Sequence, residues 1–237
     1  MFKLDILNKL PINTVIIVAG GSGKRFKSNI PKQFVELDNK PVLMHTIEKF
    51  YNFDNNINIV LVLPQNQIEY WQQLCTKYNF TIKHKISEGG KERFHSVKNG
   101  LNLAKESKYI AIHDGVRPLV DSEIIKRGFD TAKKYGTAVP VVPINSSVRF
   151  IEGEESKHLD RNKIRIVQTP QIFSADILKK AYNIDFRDTF TDDASVVEHS
   201  GNKIYLFEGN IENLKITSKF DLAFADFIIK EKKRNNI

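Results

Sequence analysis

Gly20, Gly21, Ser22 and Gly23 are followed at once by Lys24 and Arg25, then by Lys27 and, after Pro31, by Lys32. Glycines let backbone N–H groups approach a ligand closely, and cations just beyond them can neutralise an anion held there. The β-branched run ahead of them at 15–18 (VIIV) has the character of a buried strand. A strand, a glycine turn and then basic side chains is an arrangement for holding a polyphosphate. Two common versions are excluded. A P-loop needs G-x-x-x-x-G-K-[ST], but Arg25 follows Gly23-Lys24 and Val18 takes the first glycine's place. A dinucleotide fingerprint needs a third glycine where Phe26 stands. Taken alone, the stretch reads equally well as a plain turn with solvated lysines.

These groups need a scaffold, and the rest of the chain supplies one. Pro41 suits the first position of a helix running to about Tyr51, with Val42, Ile47 and Phe50 on its apolar side. Residues 57–63 (INIVLVL) read as a strand covered on both faces. Residues 68–78 are helical in pattern, with Trp71 and Leu74 as core, and 80–86 (FTIKHKI) alternate as a strand that leaves His84 exposed. A second glycine turn, Glu88-Gly89-Gly90-Lys91-Glu92-Arg93, leads into a helix carrying Phe94, Val97, Leu101 and Ala104. A buried strand at 109–113 ends in Asp114-Gly115-Val116-Arg117-Pro118; a helix over 122–135 and a strand at 138–142 follow. Strands alternating with helices predict an α/β fold with a doubly wound, largely parallel sheet. Ligands sit beyond the carboxyl ends of such strands. The Gly20 turn, the Gly90 turn and Asp114 all fall at such ends and so can meet in one crevice.

Alternation stops at 145–163 (NSSVRFIEGEESKHLDRNK), which is polar and turns at Glu152-Gly153-Glu154. It predicts a projecting β-arm, an excursion from a single domain of 237 residues, that pairs with a second subunit. Residues 164–168 return toward the core, Thr169-Pro170-Gln171 punctuates, and Ser174 is placed to cap a helix through Tyr182. A helix at 192–199, a strand at 203–208, an extended piece at 213–217 (NLKIT) and a helix at 219–234 complete the chain.

The formal charge of +8 permits nucleic-acid binding without arguing for it. The basic residues are spread out, and the cluster at 230–234 (KEKKR) closes a helix whose dipole suits cations there. An enzyme handling anionic small molecules fits as well. With Cys75 as the one cysteine, neither an internal disulfide nor a thiolate metal site is expected, and a reducing, cytoplasmic setting fits. The apolar runs fall far short of the roughly 20 residues that cross a bilayer, and no signal-peptide pattern opens the chain.

The motifs GGSGKRF…PKQF, HDGVRP, the DRN of the arm, TPQ, TDDAS and EG…NLKIT occur in an order that resembles the cytidylyltransferases of sugar and polyol phosphates, over about residues 14–229. The resemblance implies a Rossmann-like nucleotidyltransferase sheet, CTP as co-substrate and Mg²⁺ or another divalent cation. In the implied reaction a phosphate oxygen of the acceptor attacks the α-phosphorus of CTP and pyrophosphate leaves. A phosphate monoester is already anionic at neutral pH, so the reaction calls for charge neutralisation, not a dedicated base or nucleophile. The acceptor implied is 2-C-methyl-D-erythritol 4-phosphate, with ribitol 5-phosphate as the alternative. A non-catalytic nucleotide- or nucleic-acid-binding protein is the alternative of another class.

Carried over by the resemblance, Ala19, Gly20, Gly21, Ser22, Gly23 and Lys24 wrap the triphosphate, and Arg25 and Lys32 hold the phosphates and stabilise the transition state. Gly90, Arg93 and Ser96 match the cytosine-reading segment; for Arg93 an ion pair at the helix start stays open as an alternative. Asp114, with Gly115 beside it, matches the acid near the ribose and Mg²⁺, and Arg117 a partner that organises that loop on the substrate side. Thr191, Lys215 and Arg161 match the acceptor side, Arg161 reaching a neighbouring subunit's site from the arm of a homodimer. One departure stands out: Asn145-Ser146-Ser147 replaces an Asp-Thr pair, leaving Ser147 to keep the hydroxyl. With the chain closing at Ile237, no fused next-step synthase is expected.

Overall fold

The computed structural model describes residues 13–21, 26 and 30–235. An eight-stranded sheet forms the centre. Strands β1 (Asn13–Val18), a small pair β2 (Glu36–Leu37) and β3 (Lys40–Pro41), β4 (Asn58–Leu63), β5 (Lys85–Glu88), β6 (Tyr109–Asp114) and β7 (Thr137–Pro143) alternate with helices α1 (Val42–Phe53), α2 (Gln65–Lys77), α3 (Arg93–Leu101) and α4 (Ser122–Tyr135). Beyond them come β8 (Val148–Glu152), β9 (Glu155–Leu159), β10 (Arg165–Val167), β11 (Gln171–Ser174), α5 (Ala175–Ala181), α6 (Asp193–His199), β12 (Leu206–Glu208) and α7 (Lys219–Arg234). The sheet runs β10-β7-β11-β6-β1-β4-β5, with β12 beside β7. β1 is parallel to both β4 and β6, and β4 to β5.

Two apolar layers clamp the sheet. Val15, Ile17, Leu61 and Leu63 face Ile47, Phe50, Trp71 and Phe129 on one side. Ile16, Val60, Val62 and Ile112 face Phe94, Val97, Leu178 and Val197 on the other. This two-sided burial is why these strands read as unbroken apolar runs. A third cluster, Phe26, Leu37, Val116, Ile216, Ala225 and Ile228, seats α7 beneath the strand ends. Local chemistry sets the helix starts: Asp121 accepts from the Ile124 N–H, and capping boxes open α6 (Asp192, Ser195) and α7 (Ser218, Asp221). Ser174 precedes α5 as expected, but its side chain makes no capping bond.

Other expectations are corrected too. The sequence at 171–174 forms β11, an antiparallel strand inserted between β6 and β7. Only Lys85–Glu88 of the predicted 80–86 strand pairs with β4. The alternation upstream comes from packing: Phe80 and His84 lie against Trp71, whose indole N–H donates to His84 Nε2 at 2.9 Å. His84 is therefore half-buried, not simply exposed. The arm is a two-stranded antiparallel hairpin, β8 with β9, which pairs with no other strand among the described residues. No described helix is long and apolar enough to cross a membrane.

Candidate active site

Parallel register brings the expected turns together at one sheet edge. Val18, ending β1, lies beside Val62 of β4 and Asp114 of β6, while Leu63 lies beside Glu88 of β5. Backbone bonds continue past the strand ends: the Ala19 N–H donates to Val62 O, Gly89 to Leu63 O and Gly115 to Val18 O, at 2.7–2.9 Å. A cavity of about 350 Å³ opens over this edge, lined by Ala19, Gly20, Gly21, Lys32, Gly90, Arg93, Ser96, Asp114 and Lys215. Nine of the predicted residues thus share one crevice. Ser22, Gly23, Lys24 and Arg25 lie outside the described residues.

A second cavity of about 280 Å³ adjoins the first, sharing Arg93, Asp114 and Lys215 with it and adding Arg117, Gln168, Thr169, Gln171, Thr191 and Asp192. Asp114 is the centre of charge between the two. Its Oδ2 lies 3.1 Å from both Arg117 Nε and Lys215 Nζ, and Oδ1 lies 3.8 Å from Arg93 Nε. Burial pushes this carboxyl's pKa up, but Lys215, Arg93 and Arg117 outweigh burial and hold it well below the usual carboxylate range. The Asp114 N–H donates to Thr169 Oγ1 at 3.0 Å. Arg117 also donates to the Asn213 carbonyl at 2.8 Å, and the Ile216 N–H to Val116 O at 2.9 Å. Those bonds dock the 213–217 segment over the Asp114 turn and deliver Lys215.

Several predicted residues have structural partners of their own. Gly115 lines neither cavity; it packs beneath them, where a Cβ would come within 2.9 Å of the Ala19 Cβ. Ser96 lines the first cavity, yet its hydroxyl accepts from the Gly90 N–H at 3.0 Å and donates to Glu92 O at 3.2 Å, bracing the glycine turn. Arg117 is a buried strut whose donors go to Asp114 and Asn213. Arg93 is in an ion pair, as the alternative had it, but not with a helix neighbour. Its two terminal nitrogens donate to the carboxylate oxygens of Asp193 at 2.9 and 2.7 Å. Burial works against the Arg93 charge, and Asp193 more than offsets it.

Ser147 and Arg161 are exposed on the arm and line neither cavity; Arg161 donates to the Asn145 carbonyl at 2.6 Å. Two residues without an assigned role turn out to build the site. Gln33 is buried, lines the first cavity, and donates to Ala19 O at 2.9 Å and Gln67 Oε1 at 2.7 Å. Asp193 is the other. Both sit inside quoted motifs, PKQF and TDDAS, and those motifs were the available signal.

The arrangement concentrates cations around a glycine-lined crevice and a single central carboxylate. Comparison with known proteins agrees in kind. The family model described as IspD, 2-C-methyl-D-erythritol 4-phosphate cytidylyltransferase, matches residues 13–231. A Bacteroides fragilis protein named 2-C-methyl-D-erythritol 4-phosphate cytidylyltransferase is 49% identical over 216 residues, 91% of this chain and 99% of the relative. One of the same name from Clostridium acetobutylicum is 40% identical, covering 93% of this chain and 98% of the relative. The crystal structure of the Thermus thermophilus protein of that name is 26% identical with a TM-score of 0.74, over 93% of this chain and 100% of that one.

Proposed function

The chain belongs to the 2-C-methyl-D-erythritol 4-phosphate cytidylyltransferase family, and from that premise we infer how its residues divide the work of the reaction. It is a nucleotidyltransferase that moves a cytidylyl group from CTP to 2-C-methyl-D-erythritol 4-phosphate, releasing pyrophosphate, in isoprenoid biosynthesis. The observation that carries the residue assignments is the shared wall of Arg93, Asp114 and Lys215 between two adjoining cavities. Each reactant gets its own compartment, and the reacting phosphates meet at the wall.

In this reading the first cavity takes CTP. Ala19, Gly20, Gly21, Ser22, Gly23 and Lys24 wrap the triphosphate with backbone N–H groups, while Gly90, Ser96 and the α3 start face the base. Arg25 and Lys32 stabilise charge that develops on the α-phosphate and the leaving pyrophosphate. The second cavity takes the polyol phosphate. Thr191 supplies a hydrogen bond there, and Lys215 grips the acceptor phosphate and holds it in line. The acceptor oxygen forms the new bond to the α-phosphorus as the bond to the β-phosphate's bridging oxygen breaks.

Asp114 fits a divalent cation through one oxygen. Its Oδ2 is occupied by Arg117 and Lys215, whereas Arg93 Nε stands 3.8 Å from Oδ1, beyond hydrogen-bond distance. A single carboxylate oxygen is enough for Mg²⁺, which takes most of its ligands from phosphates and water. When bound, Mg²⁺ would supply neutralisation of the triphosphate.

The proposal extends to a homodimer of single-domain subunits, placed in the cytoplasm. The arm hairpin leaves Phe150 and Ile151 exposed, and Arg161 and Ser147, which line neither cavity of their own chain, would serve a neighbour's acceptor side. Offering the purified protein CTP with methylerythritol phosphate or with ribitol 5-phosphate tests the substrate. Faster pyrophosphate release with ribitol 5-phosphate would overturn it.

A further inference from the structure

Among the described residues that line both cavities, Arg93 is held from outside them. Its anchor, Asp193, has no exposed surface and lines neither cavity. One Asp193 oxygen accepts from Arg93 Nη1 at 2.9 Å and from the Tyr182 hydroxyl at 2.7 Å; the other accepts from Arg93 Nη2 at 2.7 Å. Tyr182 is in turn stacked on Phe94, ring centroids 4.8 Å apart. A guanidinium gripped at both tips is fixed in plane and direction, leaving Nε turned toward Asp114 at 3.8 Å, and the side chain, 28% exposed, lines both cavities.

The sequence positions give this pair its consequence. Arg93 begins α3, directly after the glycine turn on the CTP side. Asp193 begins α6, directly after Thr191 and Asp192 on the acceptor side. We infer that Asp193, supported by Tyr182, is a positioning residue that locks Arg93 as the fixed partition between the two subsites and ties one subsite's shape to the other's. It also keeps Arg93 off Asp114. Were the Asp193 charge missing, Asp114 would be the nearest remaining carboxylate, and the fork would swing toward Oδ1. This inference rests on the division of the two cavities between CTP and the polyol phosphate.

Asp193→Asn keeps the size of the side chain and its bond from Tyr182 but removes the charge. In steady-state assays the KM values for CTP and for methylerythritol phosphate should both rise about tenfold, a coupling typical of residues in direct contact. On an Arg93→Lys background the same substitution should add no more than about twofold, because the fork that it positions is already gone. Unchanged KM values in a folded Asp193→Asn protein would overturn the inference, as would an equal rise on both backgrounds or a loss confined to the melting temperature. If circular dichroism shows that Asp193→Asn does not fold, Tyr182→Phe decides: it removes one bond to Asp193 and leaves the charge, so both KM values should rise about two- to threefold. No rise would overturn the inference. A wild-type protein that makes no cytidylylated product sinks the proposed function and this inference with it; an active wild type with indifferent variants sinks this inference alone.

Discussion

Acid should loosen this fold through one histidine beneath the site. His113 is fully buried on β6, edge-on to the Phe50 ring and next to Asp114. The Arg117 carbonyl can only accept, so His113 Nε2–H donates to it at 3.2 Å and the ring's Nδ1 accepts from the Thr169 hydroxyl at 3.1 Å, while Thr169 Oγ1 accepts from the Asp114 N–H. Both ring nitrogens are satisfied in the neutral form. A second proton, on Nδ1, would force the Thr169 hydroxyl to turn its own proton away from the ring. Burial accordingly lowers the imidazole pKa from 6.5 to about 3. The unfolded chain takes up this proton near pH 6.5 and the folded one only near 3, so between those values the unfolded state binds more protons. Stability from this group is complete above pH 6.5 and drains away as pH falls toward 3. Between pH 8 and pH 5 the loss is about 2 kcal/mol, or about 1 M in urea midpoint for a typical slope near 2 kcal/mol/M. Urea unfolding of ligand-free wild type and His113→Gln at pH 8, 7, 6 and 5 isolates it, because His45 and His84 titrate in both proteins. The variant should be less stable at pH 8 and flatter with pH. Parallel midpoint curves for the two proteins would refute the reasoning.

Lys32→Ala should lower kcat by about a hundredfold with a smaller change in the KM for CTP, since its charge serves the transition state; an unchanged kcat contradicts that role. Arg161→Ala should raise the KM for the polyol phosphate more than that for CTP. Mixed one-to-one with Lys32→Ala protein, it should recover up to about a quarter of wild-type activity, because half the dimers regain one native site of two; no recovery in verified mixed dimers means that each subunit works alone. Gly90→Ala would put a Cβ 2.3 Å from the His95 Cβ and 3.0 Å from its carbonyl carbon, forcing the turn to shift. Its KM for CTP should rise roughly tenfold, and a normal KM would show the turn free to adjust. Chelation with EDTA should abolish turnover, and added Mg²⁺ should restore it; full activity in EDTA would remove the metal from the proposal.

Much of the scaffold was legible because its signals are local. The strand–helix alternation up to β7 follows from apolar runs bounded by turn residues, and it alone places the Gly20 turn, the Gly90 turn and Asp114 at one edge. β11 was not, because Gln171, Ile172 and Phe173 are all buried between two neighbours and show no alternation. The 80–86 stretch misled in the opposite sense, since packing against Trp71 reproduces a strand's period without a strand's bonds. Pairings across the chain were beyond reach of any local pattern. Arg93 finds Asp193 100 residues away, and a window on the helix start sees only the arginine.

The charge around the site also says which components it needs. Among the described residues the two cavities are lined by five cationic side chains (Lys32, Lys91, Arg93, Arg117, Lys215) and three carboxylates (Glu92, Asp114, Asp192), an excess of two positive charges. CTP and a phosphate monoester together bring about six negative ones. Apposing them in a partly desolvated crevice with only that excess would leave strong repulsion at the reacting atoms, where the low dielectric magnifies it. The remainder has to come from groups that these cavities do not count. Lys24 and Arg25 of the glycine turn, a divalent cation at Asp114 and the neighbouring subunit's Arg161 are the candidates that the sequence offers. Lys24 and Arg25 would raise that excess to four, and the proposed metal and neighbouring arm would supply the rest.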